Sequence, residues 1–322
     1  MAKQPKISKG LLDAIKFIYP VQRDKGNVFQ THCRFGDNFL TATDGQTTIG
    51  HPIAEELSCC PHTATLQKAL ANCGQNISMT QLEGNRLAVK SGKLQVVIPC
   101  TAEDLPETSP DTPQAMITDE LIQGLALIAH LPSEDSSLVH NSAILLGPGS
   151  VTGTNGAVVI EYWHGVDLPP NLVIPVSAIK AVVKSSQKLK QLGFSDNSIT
   201  FHFENGAWIK TQLYQEKFPD CNRILNQKTN AEELPKDFFK AVDTLKDFGE
   251  YVYFFQDQLR TSKKENEGAN FELSGLTLGA AFAIKQLRLI ENCCLFADYK
   301  THKNMMFFFG ERTRGAIMQV RG

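Results

Sequence analysis

The sequence predicts an α+β chain built as three similar domains in series, each with two helices and antiparallel sheets. Three observations predict it. A Thr-acid/amide-Gly turn between strand-like segments occurs as Thr43-Asp44-Gly45 and again as Thr154-Asn155-Gly156, with Asp44 and Asn155 111 positions apart. A weaker third copy is expected at Phe271-Glu272-Leu273-Ser274-Gly275, 119 residues after Gly156. Helix-period segments precede each copy, and two polar, Pro-containing stretches separate the copies. A period of roughly a hundred residues denotes whole domains rather than the short units of a solenoid.

The first helix of each copy is marked by apolar spacing: Leu11, Leu12, Ile15, Ile18; Leu121, Ile122, Leu125, Ile128; and Phe238, Phe239, Val242, Leu245, the last set following Pro235. Strands are expected at Val28 to Phe35, Ala143 to Leu146 and Tyr251 to Phe255. The Asp-Gly and Asn-Gly turns follow, because these pairs tolerate the positive φ of a tight hairpin. Second helices are expected over Thr63 to Cys73, Val176 to Leu192 and Ala283 to Asn292. Alternating strands close each copy, as in Ile199 to Glu204 and Trp208 to Thr211 around Asn205-Gly206. Thr108 to Pro113 and Asn226 to Glu233 read as linkers, which gives domains over 1–113, 114–227 and 228–322.

Composition narrows the function classes. The 322 residues suffice for two or three domains, and 42% hydrophobic residues is ordinary for a globular protein. No apolar run reaches the ~18 residues of a membrane span, and Met1 to Lys6 has no signal-peptide core, so a cytoplasmic protein with no membrane partner is expected. The eight cysteines include the pairs Cys59-Cys60 and Cys293-Cys294 but no Cys-x-x-Cys; they are expected to be reduced and mostly buried, with no metal. A net charge of −2 argues against simple coating of nucleic acid, yet leaves room for a basic face on an acidic body.

The helices supply such a face. Lys180, Lys184 and Lys188 recur every four residues beside the stripe Val176, Ile179, Val183, Leu189, with no acid between Lys180 and Leu192. Lys9 and Lys16 share a face of the first helix, and Lys68 lies on the second. Lys236 and Lys240, then Lys285 and Arg288, do the same in the third copy, while Asp119, Glu120 and Gln123 make the middle copy's first helix the exception. Any one such face also fits a solvated amphipathic helix. Gathered around a hole, they would meet a phosphate backbone without reading sequence.

At this point the chain resembles the bacterial DNA polymerase III beta subunit, the sliding-clamp family, over almost its whole length. The resemblance rests on Thr41-Ala42-Thr43-Asp44-Gly45 and its second copy, and on Val96-Val97-Ile98-Pro99 through Ala102-Glu103-Asp104-Leu105-Pro106. It rests most specifically on Leu213-Tyr214-Gln215-Glu216-Lys217-Phe218-Pro219-Asp220 followed by Arg223-Ile224-Leu225, and finally on the tail Ala316-Ile317-Met318-Gln319-Val320-Arg321. It implies a DNA clamp fold and a ring-forming, head-to-tail homodimer. Such a ring encircles duplex DNA without sequence specificity and tethers the replicative polymerase as a processivity factor. A clamp-fold interaction scaffold that does not encircle DNA is the alternative.

The resemblance also implies a pocket for short peptides from the DNA polymerase and the clamp loader, at Thr154, Gly156, Ala157, Val158, Val159 and Met318. The family usually has a polar residue at Ala157, a basic one at Val158 and Pro at both Asn226 and Gln319; Val158 and Val159 equally fit plain strand core. Arg23, with Lys25 beside it, matches a loop that touches DNA in the family, and the family's dimer contact falls near Lys246 to Gly249. No enzyme motif competes. Gly147-Pro148-Gly149-Ser150-Val151-Thr152-Gly153 departs from both phosphate-loop patterns, Asp44 before Gly reads as a turn residue, and the histidines lack ligand spacing. No catalytic residue and no cofactor is expected.

Overall fold

The computed structural model describes residues 9–74, 76–264 and 266–320. Met1 to Lys6, Glu265 in the Lys263–Gly268 loop and Arg321 lie outside the described residues, as does the side chain of Lys9. The helices are α1 (Lys9–Ile18), α2 (Val28–Thr31), α3 (Thr63–Ala71), α4 (Asp119–Ile128), α5 (Val176–Lys184), α6 (Asn222–Leu225), α7 (Phe238–Leu245) and α8 (Ile284–Leu287). Apart from short 3-10 turns, the rest of the regular structure is antiparallel sheet, so the α+β class is as expected.

The chain divides into two compact units, one of Met1–Ile117 with Ala181–Leu213, the other of Thr118–Lys180 with Tyr214–Gly322. In the first, a seven-stranded sheet joins strands from the first and middle copies: Thr47–Pro52 pairs with Trp208–Gln212, Thr48 opposite Lys210 and Gly50 opposite Trp208. A Cβ on Gly50 would lie 2.3 Å from the Trp208 indole, so only glycine lets that ring lie across the junction. In the second unit an eight-stranded sheet joins the middle and third copies through Val158–Trp163 and Thr313–Met318. Separate sheets of three and four strands complete the first and second unit respectively.

The apolar spacing of the helices is a burial pattern. Leu11, Ala14, Ile15 and Ile18 of α1 are buried, and α1 packs on Phe39–Thr43, Thr47–Pro52 and α3. In the second unit Phe254 meets Phe238, Phe282 and Tyr299 with ring centroids 5.7, 5.3 and 4.9 Å apart. Burying each such ring contributes about 1.5–3 kcal/mol.

The repeated turn has a shared physical basis. Asp44 Oδ1 accepts from the Gln46 and Thr47 amides at 2.9 and 2.7 Å, and Asn155 Oδ1 from those of Ala157 and Val158 at 3.0 and 2.8 Å. Thr43 Oγ1 donates to Thr47 O and accepts from Gly45 N; Thr154 Oγ1 does the same with Val158 and Gly156. Gly45 and Gly156 take φ of 96° and 86°. The third copy of this brace is Thr261, whose hydroxyl donates to Ala269 O, not the expected Phe271–Gly275 segment. There the two-residue acid-Gly signal is missing between the paired strands Gln258–Arg260 and Asn270–Glu272, and the expected Phe271–Gly275 segment falls on and after the second of them.

Other elements also depart from expectation. Val28 to Phe35 is not one strand: Asn27 caps α2 by accepting from Gln30 N, and strand begins only at Arg34. The helix expected to run to Leu192 ends at Lys184, and Leu189–Phe194 is a strand paired with Ser198–Phe203. Ser185, Ser186 and the partner strand's apolar face override the helical spacing of the lysines. The expected helix over Ala283 to Asn292 is α8 followed by a 3-10 turn, Arg288–Ile290. The stretch Asn226 to Glu233 ends in a short strand, Glu232–Glu233, on Phe296–Asp298.

The Thr108 to Pro113 stretch lacks regular structure up to Pro113, yet it is pinned. Asp111, 10% exposed at its side chain, accepts from Ser198 Oγ, Thr200 Oγ1 at 2.8 Å and Lys210 Nζ at 3.0 Å, while its amide donates to Thr200 Oγ1. Gly193 admits the strand of linker: a Cβ there would sit 2.4 Å from Asp111 O. Burial pushes the Asp111 carboxyl up, but hydrogen bonds from Lys210, Thr200 and Ser198, with the Lys210 charge, hold it below the ordinary aspartate value. Its stabilising contribution is therefore complete above the unfolded pKa of about 3.9 and is lost as pH falls through the lower folded value. Asp111→Ala is expected to cost about 1.5–3 kcal/mol at pH 7. The difference from the parent should shrink in urea melts as the pH is taken below 4; an equal difference at pH 7 and pH 3 would mean that the carboxylate charge contributes nothing.

Candidate functional site

Two groups of residues concern function: a small apolar cavity in the second unit and a set of cationic side chains on or near the helices.

The cavity, about 80 Å³, is lined by Thr154, Gly156, Ala157, Val158, Val159 and Met318. The structure thus brings together all six pocket residues expected from the sequence. The braced Asn155 turn presents Gly156 and Ala157, and strand pairing sets Val158 opposite Ile317 and Val159 opposite Ala316. The Met318 amide donates to Ala157 O at 2.9 Å, which closes the C-terminal strand against the turn. Val158 and Val159 are buried, and Val159 also belongs to the cluster of Leu225, Phe307 and Ala316, so both the core and the pocket readings describe them. Ile224, Met305, Ala316 and Ile317 complete the wall. Of these, Met305 had no signal, since only the register of Met305–Phe309 against Thr313–Met318 brings it opposite Met318. An apolar cavity of about 150 Å³ accommodates benzene, so this smaller one suits the tip of an aliphatic side chain better than a ring.

Beside it lies an open groove of about 650 Å³, sharing Ala157 and Met318 and bordered by Tyr251, Ile284, Lys285 and Gln319. Arg314 buttresses the same sheet: it donates to Glu161 Oε2 at 2.6 Å and to the side chains of Asn222 and Asn226 at 3.0 and 2.7 Å. Asn226 is thereby tied to the C-terminal strand.

The cations divide between the units. Lys16 ends α1 and Lys184 ends α5, and both line a 190 Å³ cavity with Asp13, Phe17 and Ile209. Lys68 is exposed in the last turn of α3. Arg23 and Lys25 are exposed in the loop before α2. Lys9 opens α1. Three expected helix positions need correction, those of Lys188, Lys236 and Arg288. Lys188 is not on α5 but in the turn after it, where it pairs with Glu204 at 2.8 Å. Lys236 precedes α7, and Lys240 lies 3.8 Å from Asp237. Lys180, without an acid on its own helix, reaches Glu134 at 2.9 Å. Arg288 sits in the 3-10 turn after Lys285 and contacts Asp243 at 3.3 Å. Periodicity could not show Glu204, Glu134 and Asp243, which come from other elements, whereas Asp237 lies three residues before Lys240. The pairs are partly exposed, and such pairs are worth about 0–1 kcal/mol, which a phosphate can replace.

The Arg23 loop is held by a buried amide. Gln22 Nε2 donates to Phe29 O at 3.0 Å and Thr43 O at 3.1 Å, its Oε1 accepts from Thr63 Oγ1 at 2.7 Å, and Arg23 N donates to Gln30 O. One side chain thus ties the loop to the first hairpin and to α3.

A larger cavity, about 750 Å³, lies elsewhere in the first unit; Cys59, Cys60 and Cys100 line it with Arg34 and Glu107, which pair with each other. The cysteines are free thiols, three buried and five half-buried. Burial pushes Cys33 and Cys293 up to about 12, so neither carries a thiolate at neutral pH. Among the described residues, no three His, Cys, Asp or Glu side chains converge to hold a metal, and no helix is long and apolar enough to cross a membrane.

No protein-family model and no curated protein matches the sequence. Solved structures match along its whole length. The Bacillus subtilis DNA polymerase sliding clamp matches at TM-score 0.82 and 12% identity, covering 98% of both chains. The chain has the sliding-clamp fold. The Helicobacter pylori beta clamp, solved bound to a DNA ligase peptide, matches at TM-score 0.80 and 14% identity over 98% of this chain and 99% of that one. The Caulobacter crescentus beta sliding clamp, with PEG bound to a putative beta-motif tethering region, matches at TM-score 0.82 and 16% identity over 97% of each. The likeness therefore lies in the fold, and little of it in the residues.

Gln22→Leu is expected to lower stability by about 1–3 kcal/mol, because it leaves the Phe29 and Thr43 carbonyls and the Thr63 hydroxyl without their partner. Amide exchange should quicken at residues 23–30 more than in α1; uniform change across the unit would show that Gln22 does not anchor the loop in particular.

Proposed function

We propose that the protein is a DNA sliding clamp, a non-catalytic processivity factor of three clamp domains, 1–113, 114–227 and 228–322. Two chains close head to tail around duplex DNA and tether a replicative polymerase. The observation that carries this is the match along 97–99% of each chain to solved sliding clamps. Encirclement requires no tight grip on DNA, which suits a net charge of −2 with cations on the helices. Lys16, Lys68, Lys180, Lys184 and Lys240 face the phosphates from or beside helices, with Lys9, Lys188 and Lys236 beside them and Arg23 and Lys25 on a loop; Lys285 and Arg288, which border the groove beside the apolar cavity, are left to that site. Partner peptides from the polymerase and clamp loader enter the cavity at Thr154, Gly156, Ala157, Val158, Val159 and Met318. The H. pylori relative in fold was solved with a peptide of DNA ligase, which supports peptide capture by this fold.

A second reading, a clamp-fold scaffold that does not encircle DNA, draws on the ion pairs of Lys180, Lys188 and Arg288. One experiment separates the two. Averaged electron micrographs of the purified protein, with its mass measured by light scattering, should show a closed ring at twice the 35.6 kDa chain mass. A monomer or an open arc at every concentration, with and without DNA, would leave the scaffold. On the ring, Lys16→Glu with Lys184→Glu should flatten the dependence of log affinity on log salt by about 0.9 for each phosphate no longer neutralised. An unchanged slope would remove these lysines from the DNA face.

A further inference from the structure

We propose that the partner peptide for this site is acidic: an aliphatic anchor fills the small cavity, and carboxylates beside the anchor meet a basic rim. This rests on the peptide-capture reading above and adds the charge of the partner.

Two grooves flank the C-terminal segment, and Gln319 and Val320 line both. The segment is fixed between them, Gln319 N donating to Asn304 O and Val320 N to Ala281 O, each at 2.9 Å. The first groove, next to the apolar cavity, carries Lys246, Lys285 and Arg288 against Glu250. The second, about 630 Å³, carries Lys263 and Lys303 and no acid. Asp243 is shared, at 2.8 Å from Lys246 and 3.3 Å from Arg288. Lys263 stands over the Tyr253 ring at 5.5 Å. Among the described residues Lys285 and Lys303 make no ion pair, and both are exposed. Among the described residues the two grooves thus carry five cations, against Glu250 and the Asp243 that pairs with two of them. The surplus is positive, and Lys285 and Lys303 stand on opposite sides of the tail.

A peptide fits this surface better than DNA does. Between and beside the cations lie exposed apolar side chains, Met318 at 45% and Leu278 at 69%. A phosphate backbone would leave these uncovered, whereas a peptide covers them with its own apolar residues and places its carboxylates at the rim. Rim charges of this kind set specificity and association rate more than total affinity.

The test is a displayed library of random nine-residue peptides, selected on the full-length protein and, in parallel, on Ala157→Trp, which plugs the cavity mouth at a half-buried turn position. Melting curves establish that the variants fold. Peptides enriched on the parent but not on Ala157→Trp should combine an aliphatic anchor with Asp or Glu within a few positions. For a synthetic copy of the leading peptide, Lys285→Glu and Lys303→Glu should each weaken binding up to about 5-fold at low salt, the range of an exposed ion pair, and the loss should fade above 0.5 M salt. Enrichment of aliphatic peptides with no acidic excess, or affinities indifferent to both variants, overturns the acidic-partner proposal and leaves peptide capture standing. Equal enrichment on the plugged protein overturns peptide capture itself. Lower affinity of the two lysine variants for duplex DNA, with peptide binding unchanged, assigns the rim to DNA instead.

Discussion

The sheets of this protein are not the property of single repeats, and most of its architecture depends on that. Thr47–Pro52 of the first copy finds its partner in Trp208–Gln212 of the second, and Val158–Trp163 of the second in Thr313–Met318 of the third. An isolated copy would leave those strand edges bare, with amides and carbonyls ready to pair with any other chain. Pairing repeat to repeat satisfies them and fuses the copies into continuous sheets of seven and eight strands. It also explains the small residues at the junctions. Gly50 lies under the Trp208 indole, and Gly315 under Phe308 opposite Ile160, where an added Cβ would come within 2.1 Å of the ring.

The candidate peptide site is a consequence of that second junction. Its walls are the turn that opens Val158–Trp163 and the far end of Thr313–Met318, so the same hydrogen bonds that join the copies set the cavity's width. The turn is rigid because Asn155 and Thr154 supply four hydrogen bonds to it. A binding surface built this way needs no mobile lid. In the proposed peptide reading, selectivity falls to side chains at the mouth, Ala157 and Met318, and to the charges beyond it.

Charge is distributed by the same economy. Cations near the helices are answered in part by single acids from other elements, as with Lys180 and Glu134 or Arg288 and Asp243. These pairs keep an acidic chain folded around basic faces at little energetic gain, and they dissolve readily in favour of a phosphate or a carboxylate partner. Asp111 is the contrasting case. Its carboxylate is largely enclosed and answered by Lys210 and two hydroxyls, and it holds connecting chain against a sheet rather than holding charge in reserve.

The sequence alone determined the repeat, the class and most first helices, because these follow from local spacing: apolar residues every three or four positions, and Asx-Gly where φ must be positive. Six residues of the apolar cavity were legible through resemblance, since the turn and the C-terminal strand keep their order along the chain. Tertiary structure decided what spacing cannot carry. It ended α5 at Lys184, because Leu189–Phe194 gains more from pairing with Ser198–Phe203 than from another two turns of helix, and so removed Lys188 from the helical face. It moved the third turn to Thr261, where a longer loop had erased the acid-Gly signature but not the threonine's hydrogen bond. It also chose the acids that meet Lys180, Lys188 and Arg288, because those partners are distant in sequence and only the folded backbone brings them within reach.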